Sequence, residues 1–284
     1  MVWIVNETAC APEQLGSAVF RRRLLNANNV PDAKVEVDRI SLGALGHCDL
    51  IVPKGALGWI AVLKGQVNVQ QGQVRTELSD TYVALLPVGS KHALSSEKGA
   101  ELLYAVVPDV AALDPQLHDQ PLPFRTVDWA HEPLLDSKND KRKRIYVATP
   151  KLTGTKAIKA EMIIYPPQTN GSNHHHEGAE HFMYVIKGET TGYSDEVPHR
   201  YAAGDLVYHP NGERHFSSTG ECGMTFIEFF VPAEYRTVWA DQTRICTWLP
   251  TGKNVTGGKP SREIAAHDSL HAGASTPADL WHRV

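Results

Sequence analysis

Short apolar runs closed by glycine or proline recur along this chain of 284 residues. Trp59-Ile-Ala-Val-Leu ends at Lys64-Gly65, Tyr82-Val-Ala-Leu-Leu at Pro87, and Phe182-Met-Tyr-Val-Ile at Lys187-Gly188. Aromatic and β-branched residues suit a pleated, half-buried surface, and glycine, proline and asparagine supply the turns, so the pattern predicts short antiparallel strands and an all-β protein. A helical period is confined to residues 12–26 and to the tail after Ser261.

The pattern repeats. The run from Trp59 to Val69 parallels the run beginning at Phe182, and Tyr82 to His92, with Pro87 and Gly89, parallels Leu206 to His215, with Pro210 and Gly212. An offset of a little over one hundred and twenty residues indicates duplication of a whole domain rather than a solenoid. The expected architecture is two antiparallel jelly-roll β-barrels in tandem, each with alternate residues pointing inward and a mouth that can hold a ligand. Residues 1–115 form the first barrel in this reading, 116–145 a linker, 146–250 the second barrel and 251–284 a C-terminal arm.

Charge and composition narrow the possibilities. The formal net charge is −4 and no basic patch interleaved with aromatics occurs, which argues against nucleic acid as a partner. The dense basic run Lys141-Arg142-Lys143-Arg144 reads as a solvated linker. No apolar stretch has the length of a transmembrane helix and the start of the chain does not read as a secretory signal, so no membrane partner is expected and the cytoplasm is the default location. The four cysteines, Cys10, Cys48, Cys222 and Cys246, are widely spaced and expected to be reduced.

The chemistry concentrates in residues 171–219. His174 and His176 lie two apart, so on a strand they share a face while His175 points away. His181 opens the Phe182 run, and His215 follows the turn Pro210-Asn-Gly212. Imidazole is the commonest protein ligand for first-row transition metals and binds as the neutral ring. His175 and His209 read as surface or hydrogen-bonded residues, as do His267, His271 and His282, which lack partner spacing.

In these segments the chain resembles the cupin superfamily. Its second motif, Gly, five residues, Pro-x-Gly, two residues, His, three residues, Asn, fits from Gly204 through Pro210 and Gly212 to His215, with Thr219 in place of Asn. Its first motif fits His174, His176 and Gly188, but the position usually held by Glu is His181; Glu180, next to it, is the alternative fourth ligand. The resemblance implies one divalent transition metal per chain on His174, His176, His181 and His215, with Fe(II) expected first and Mn(II) or Ni(II) next. Counting back from Gly65 places Ile51, Pro53 and Gly58 where the second half has its clustered histidines. The first barrel is therefore expected to lack a metal site and to retain His92 as a structural residue.

Four neutral imidazoles leave the ion its full charge for an anionic, chelating oxygen substrate. The first expectation is thus an iron(II)-dependent dioxygenase acting on a small molecule. A second is a manganese-dependent hydrolase or lyase similar to the ureidoglycine aminohydrolases, bicupins of about this length with an inactive first half and a histidine in place of the glutamate. That family has Glu at the position of His174 and a late Lys-Asp-x-Asn-Arg segment where this chain has Phe226-Ile-Glu-Phe-Phe-Val-Pro. A third is a non-catalytic small-molecule-binding module. Tyr184, Tyr208 and Glu228 are the candidate acid or base groups, and Glu180, if not a ligand, could orient an imidazole. A homodimer or higher homo-oligomer is expected by analogy.

Overall fold

A computed structural model of the protein describes residues 2–31, 33–118, 122–264 and 274–275. It comprises two compact units, one spanning Asn6–Trp129 and the other running from Ala130 onward and joined by the start of the chain. Both are built almost wholly of antiparallel strands, as the apolar runs predict.

In the first unit the Leu57–Gln71 strand pairs with four others, Val74–Ser79, Tyr82–Leu86, Lys91–Ser96 and Ala100–Val107. Its first half takes one set of partners and its second half another, which is how one long strand serves both walls of a barrel. The interior is filled by hydrocarbon, including Val52, Ile60, Val62, Leu86 and Leu94. His92 is buried there with Nε2 2.7 Å from the Ser90 hydroxyl.

The second unit repeats this plan around the Glu180–Ser194 strand, which pairs with Val197–Ala202, Asp205–His209, His215–Ser218 and Met224–Val231. The duplication extends to irregularities. Pairing shifts register between Val62 and Lys64 in one unit and between Val185 and Lys187 in the other, 123 residues apart. Gly65 and Gly188 follow with φ of 78° and 79°, and each lies against a backbone carbonyl, of Gly99 or Gly223. A side chain there would clash with that carbonyl in a backbone conformation L-residues rarely adopt.

Two expectations are corrected. Residues 12–26 form no helix: Glu13–Leu25 is a strand paired with Glu36–Ile51. Its register shifts between Ser17 and Val19, where Ala18 has φ of 53°, and this bulge breaks the alternation that would have marked a strand. Residues 116–145 are not simply a linker. Arg125–Asp128 pairs with Tyr82–Leu86 in the first unit, and Leu135–Ser137 and Lys143–Ala148 are strands of the second. Most of the expected C-terminal arm, with His267, His271 and His282, lies outside the described residues. No helix among the described residues is long and apolar enough to cross a membrane.

Gly188→Ala should destabilise the protein by about 2 kcal/mol or more, because positive φ and a backbone clash combine. Urea unfolding of the variant against wild type measures this.

Candidate metal centre

Strand register assembles the site. His174 pairs across from His215 on one side and from Trp239 on the other, and His176 pairs with Thr237. On the facing wall, one row joins Lys159, Phe230, His181 and His209, and the next joins Glu161, Glu228, Met183 and Val207. Residues opposite one another share a sheet face, so these rows deliver alternate residues of four strands to the barrel interior.

The ring centroids of His174 and His215 are 4.5 Å apart, of His174 and His176 4.8 Å, and of His176 and His215 5.2 Å. Nδ1 of His174 lies 2.8 Å from the Ser172 carbonyl and Nδ1 of His215 2.9 Å from the Glu213 carbonyl. A carbonyl only accepts, so both rings carry their proton on Nδ1 and present the Nε2 lone pair. Nδ1 of His176 is held by the Thr237 hydroxyl at 3.0 Å. Nε2 of His215 is buried without a partner among the described residues. Burial pushes His174 down to about 3 and drives His176, His181 and His215 well below the usual histidine range, with neighbouring imidazoles acting in the same direction. Neutral rings, tautomers fixed at His174 and His215, and candidate ligand nitrogens within 4.8 Å of one another fit a divalent transition metal on His174, His176 and His215.

His181 stands beside this triad, its ring centroid 5.0 Å from His176 and 4.9 Å from His215. Its nitrogens group instead with His209 and His215, again within 4.8 Å. His181 Nε2 meets the Glu228 carboxylate at 2.9 Å. His209, read from the sequence as a surface or hydrogen-bonded residue, is not at the surface: it is 2 % exposed, borders the cavity and has Nδ1 3.5 Å from the Glu213 carboxylate. Period-two reading of Asp205–His209 could have found it, because His209 shares a face with Val207.

The same period separates the remaining candidates. Glu180, Tyr184 and Tyr208 are buried but do not border the cavity, since they alternate with His181, Met183 and Val207 and so sit on the other face of the sheet. Glu228 does border it and is the sole carboxylate among the described lining residues. His175 is turned from the triad, with Nε2 3.2 Å from Glu177.

The reading of Lys141 to Arg144 as solvated is overturned for Arg142 and Arg144, which line the cavity. Asp140 binds the Arg142 guanidinium through Nε and one terminal nitrogen, at 2.8–3.0 Å, while a second terminal nitrogen donates to the Tyr165 hydroxyl at 3.1 Å. Arg144 lies over Trp248, 4.2 Å from the ring centroid, and pairs with Glu161 at 2.9 Å, but its Nε is buried with no acceptor among the described residues. Glu161 also pairs with the fully buried Lys159 at 2.7 Å. Burial lowers Lys159 to about 8 against the opposing pull of Glu161. Charged residues that face a polar cavity look, in sequence, like charged residues that face water.

The cavity measures about 60 Å³ and is walled by Phe226, Phe230, Trp239 and Trp248 on its apolar sides. That is room for an ion and a substrate of few heavy atoms, given that one water needs roughly 10–15 Å³ on this measure.

Comparison with known proteins agrees with this geometry. Residues 161–227 match the cupin domain profile. Solved structures of Bacillus subtilis oxalate decarboxylase superpose on most of the chain. A two-residue deletion variant gives a TM-score of 0.66 at 16% identity, covering 84% of this chain and 79% of that one. The enzyme at pH 4.6 gives 0.66 at 16%, covering 84% and 78%. A structure described for its Mn(II) centres gives 0.66 at 15%, covering 84% and 79%.

The chain has a bicupin fold. No curated protein sequence matches it. Both groups of three potential metal ligands found among the described residues of this bicupin lie in its C-terminal barrel, whereas the N-terminal barrel has an apolar core cluster and a buried His92 that meets the Ser90 hydroxyl.

The buried histidines also set an acid response. Their folded pKa values lie below the unfolded value near 6.5, so the unfolded chain binds more protons once the pH falls below about 7. Metal-free protein should lose stability progressively from pH 7 toward pH 4, and His174→Gln should reduce that slope. Urea melts of chelator-treated protein at several pH values test both.

Proposed function

We propose that the C-terminal barrel is a divalent-metal-dependent enzyme site that cleaves a small, chelating carboxylate. The observation that carries this reading is a pair of unsatisfied groups in one cavity: the lone pair of His215 Nε2 and the N–H of Arg144 Nε, both buried. A buried polar group without a partner costs about 1–3 kcal/mol, and more for a charged one, so both call for an occupant. A cation answers the first and an anion the second. A carboxylate that chelates the ion and accepts from Arg144 answers both.

His174, His176 and His215 would hold the ion, which supplies Lewis-acid polarisation of a bound oxygen. Because all three ligands are neutral, its charge is left for the substrate to balance. Arg144 orients the carboxylate, with Trp248 beneath its guanidinium and Glu161 limiting its swing. Arg142, held by Asp140 and donating to the Tyr165 hydroxyl, contributes field and shape. Phe226, Phe230, Trp239 and Trp248 exclude water, which strengthens each of these interactions. Glu228 is positioned as the proton carrier: its carboxylate borders the cavity and is oriented by His181.

The similar fold whose description names Mn(II) centres supports manganese, and imidazole donors serve iron as well. Iron(II)-dependent dioxygenation remains the expectation from the donor set alone. The buried arginines and the size of the cavity support cleavage beside a carboxylate, with or without oxygen.

Metal-loaded protein incubated with C2–C4 keto, hydroxy and dicarboxylic acids should release carbon dioxide or a shortened acid. Oxygen consumption would identify the dioxygenase branch, and ammonia release from ureido compounds without carboxylate cleavage would overturn the reading. His176→Ala should weaken Mn(II) binding at least about ten-fold and abolish turnover, whereas His92→Ala should leave Mn(II) content unchanged. Arg144→Met should raise KM about 10–100-fold with a smaller effect on kcat, as loss of a charge-assisted hydrogen bond to the substrate requires.

A further inference from the structure

We propose that His181, His209 and His215 form a second position for a divalent transition-metal ion, alternative to the His174, His176 and His215 position. The proposal builds on the reading of this cavity as a metal site and concerns where within it the ion can rest.

Three observations converge. The candidate ligand nitrogens of His181, His209 and His215 lie within 4.8 Å of one another, all three side chains are buried, and all three border the cavity. Two of the rings offer orphaned lone pairs. His181 gives its Nε2 proton to Glu228 at 2.9 Å, since a carboxylate only accepts, and its Nδ1 is then buried without a partner among the described residues. Nε2 of His215 is orphaned in the same way.

The third observation is what stands behind the ligands. In the first position the Nδ1 atoms are held by neutral oxygens, those of Ser172, Thr237 and the Glu213 main chain. In the second, His181 is backed by the Glu228 carboxylate, and Nδ1 of His209 lies 3.5 Å from both the Glu213 carboxylate and the Ser194 hydroxyl. A carboxylate behind an imidazole makes the ring a more basic ligand and fixes its orientation. The second position is thus the more electron-rich of the two and favours the more strongly Lewis-acidic ion.

Sharing makes the positions exclusive. Nδ1 of His215 is committed to the Glu213 carbonyl, so this residue has one lone pair to give and binds one ion at a time. An ion can therefore pass between the two sets while remaining on His215, and the chain holds one equivalent.

Co(II) titration of the chelator-stripped full chain, followed by visible absorption and equilibrium dialysis, tests this. Wild type should bind one equivalent. The variant His174→Ala/His176→Ala should still bind one, with an altered spectrum, and adding His209→Ala should weaken that binding at least about ten-fold. A folded double variant that binds no Co(II), or whose binding and spectrum ignore His209→Ala, would overturn the proposal; so would two equivalents in wild type. If the double variant does not fold, the single His174→Gln replaces it with the same outcomes. Failure of the proposed reaction would appear instead as metal-loaded wild type without carboxylate cleavage, and would leave the cobalt result unchanged.

Discussion

Crowding of neutral imidazoles in a buried barrel interior is the constraint on which the rest of this structure depends. Rings at centroid distances of 4.2–5.4 Å cannot all be charged, and burial keeps them uncharged at neutral pH. Neutrality alone would leave the tautomers open. The main chain settles them at His174 and His215, where carbonyl groups hold Nδ1 and turn Nε2 inward. A one-residue slip of the Glu180–Ser194 strand would exchange His181 and Met183 for Glu180, Phe182 and Tyr184, and the site would be lost.

The two barrels show what that constraint costs. They share a register shift and a glycine turn 123 residues apart, yet the first core is hydrocarbon apart from His92, whereas the second buries four histidines, two arginines, a lysine and two glutamates in or beside its cavity. Buried charges are tolerable only when paired. The second barrel meets this with Asp140 on Arg142, and with Glu161 between Arg144 and Lys159. Arg144 Nε and the imidazole lone pairs stay outside that pairing, and they are the groups an ion and an anion would complete.

Much of this was legible in the residues. The duplication, the all-β architecture and the shared face of His174 and His176 follow from period-two alternation and turn spacing, which local sequence carries directly, and the grouping of His215 with them follows from the resemblance to the cupin motifs. Glu228 was recognisable only as a candidate, because its value depends on Met183 and His181 lying across from its strand. The solvated reading of Arg142 and Arg144 failed, and the place of His209 at the cavity was missed, for a common reason: polarity in a sequence does not say whether the facing medium is water or an enclosed cavity. The strand Glu13–Leu25 was hidden by its bulge at Ala18, whereas the placement of Tyr184 and Tyr208 away from the cavity follows from the same period-two alternation once His181 is taken to face inward.

The central claim is that one divalent ion rests on histidine nitrogens in the C-terminal barrel. Pulsed EPR of the Mn(II)-loaded full chain addresses it most directly, through the nitrogen couplings of directly bound imidazole. The expected result is one Mn(II) per chain with couplings from at least three histidines, reduced when His215 is replaced by alanine. Mn(II) with no nitrogen couplings, or with couplings indifferent to His215, would contradict it.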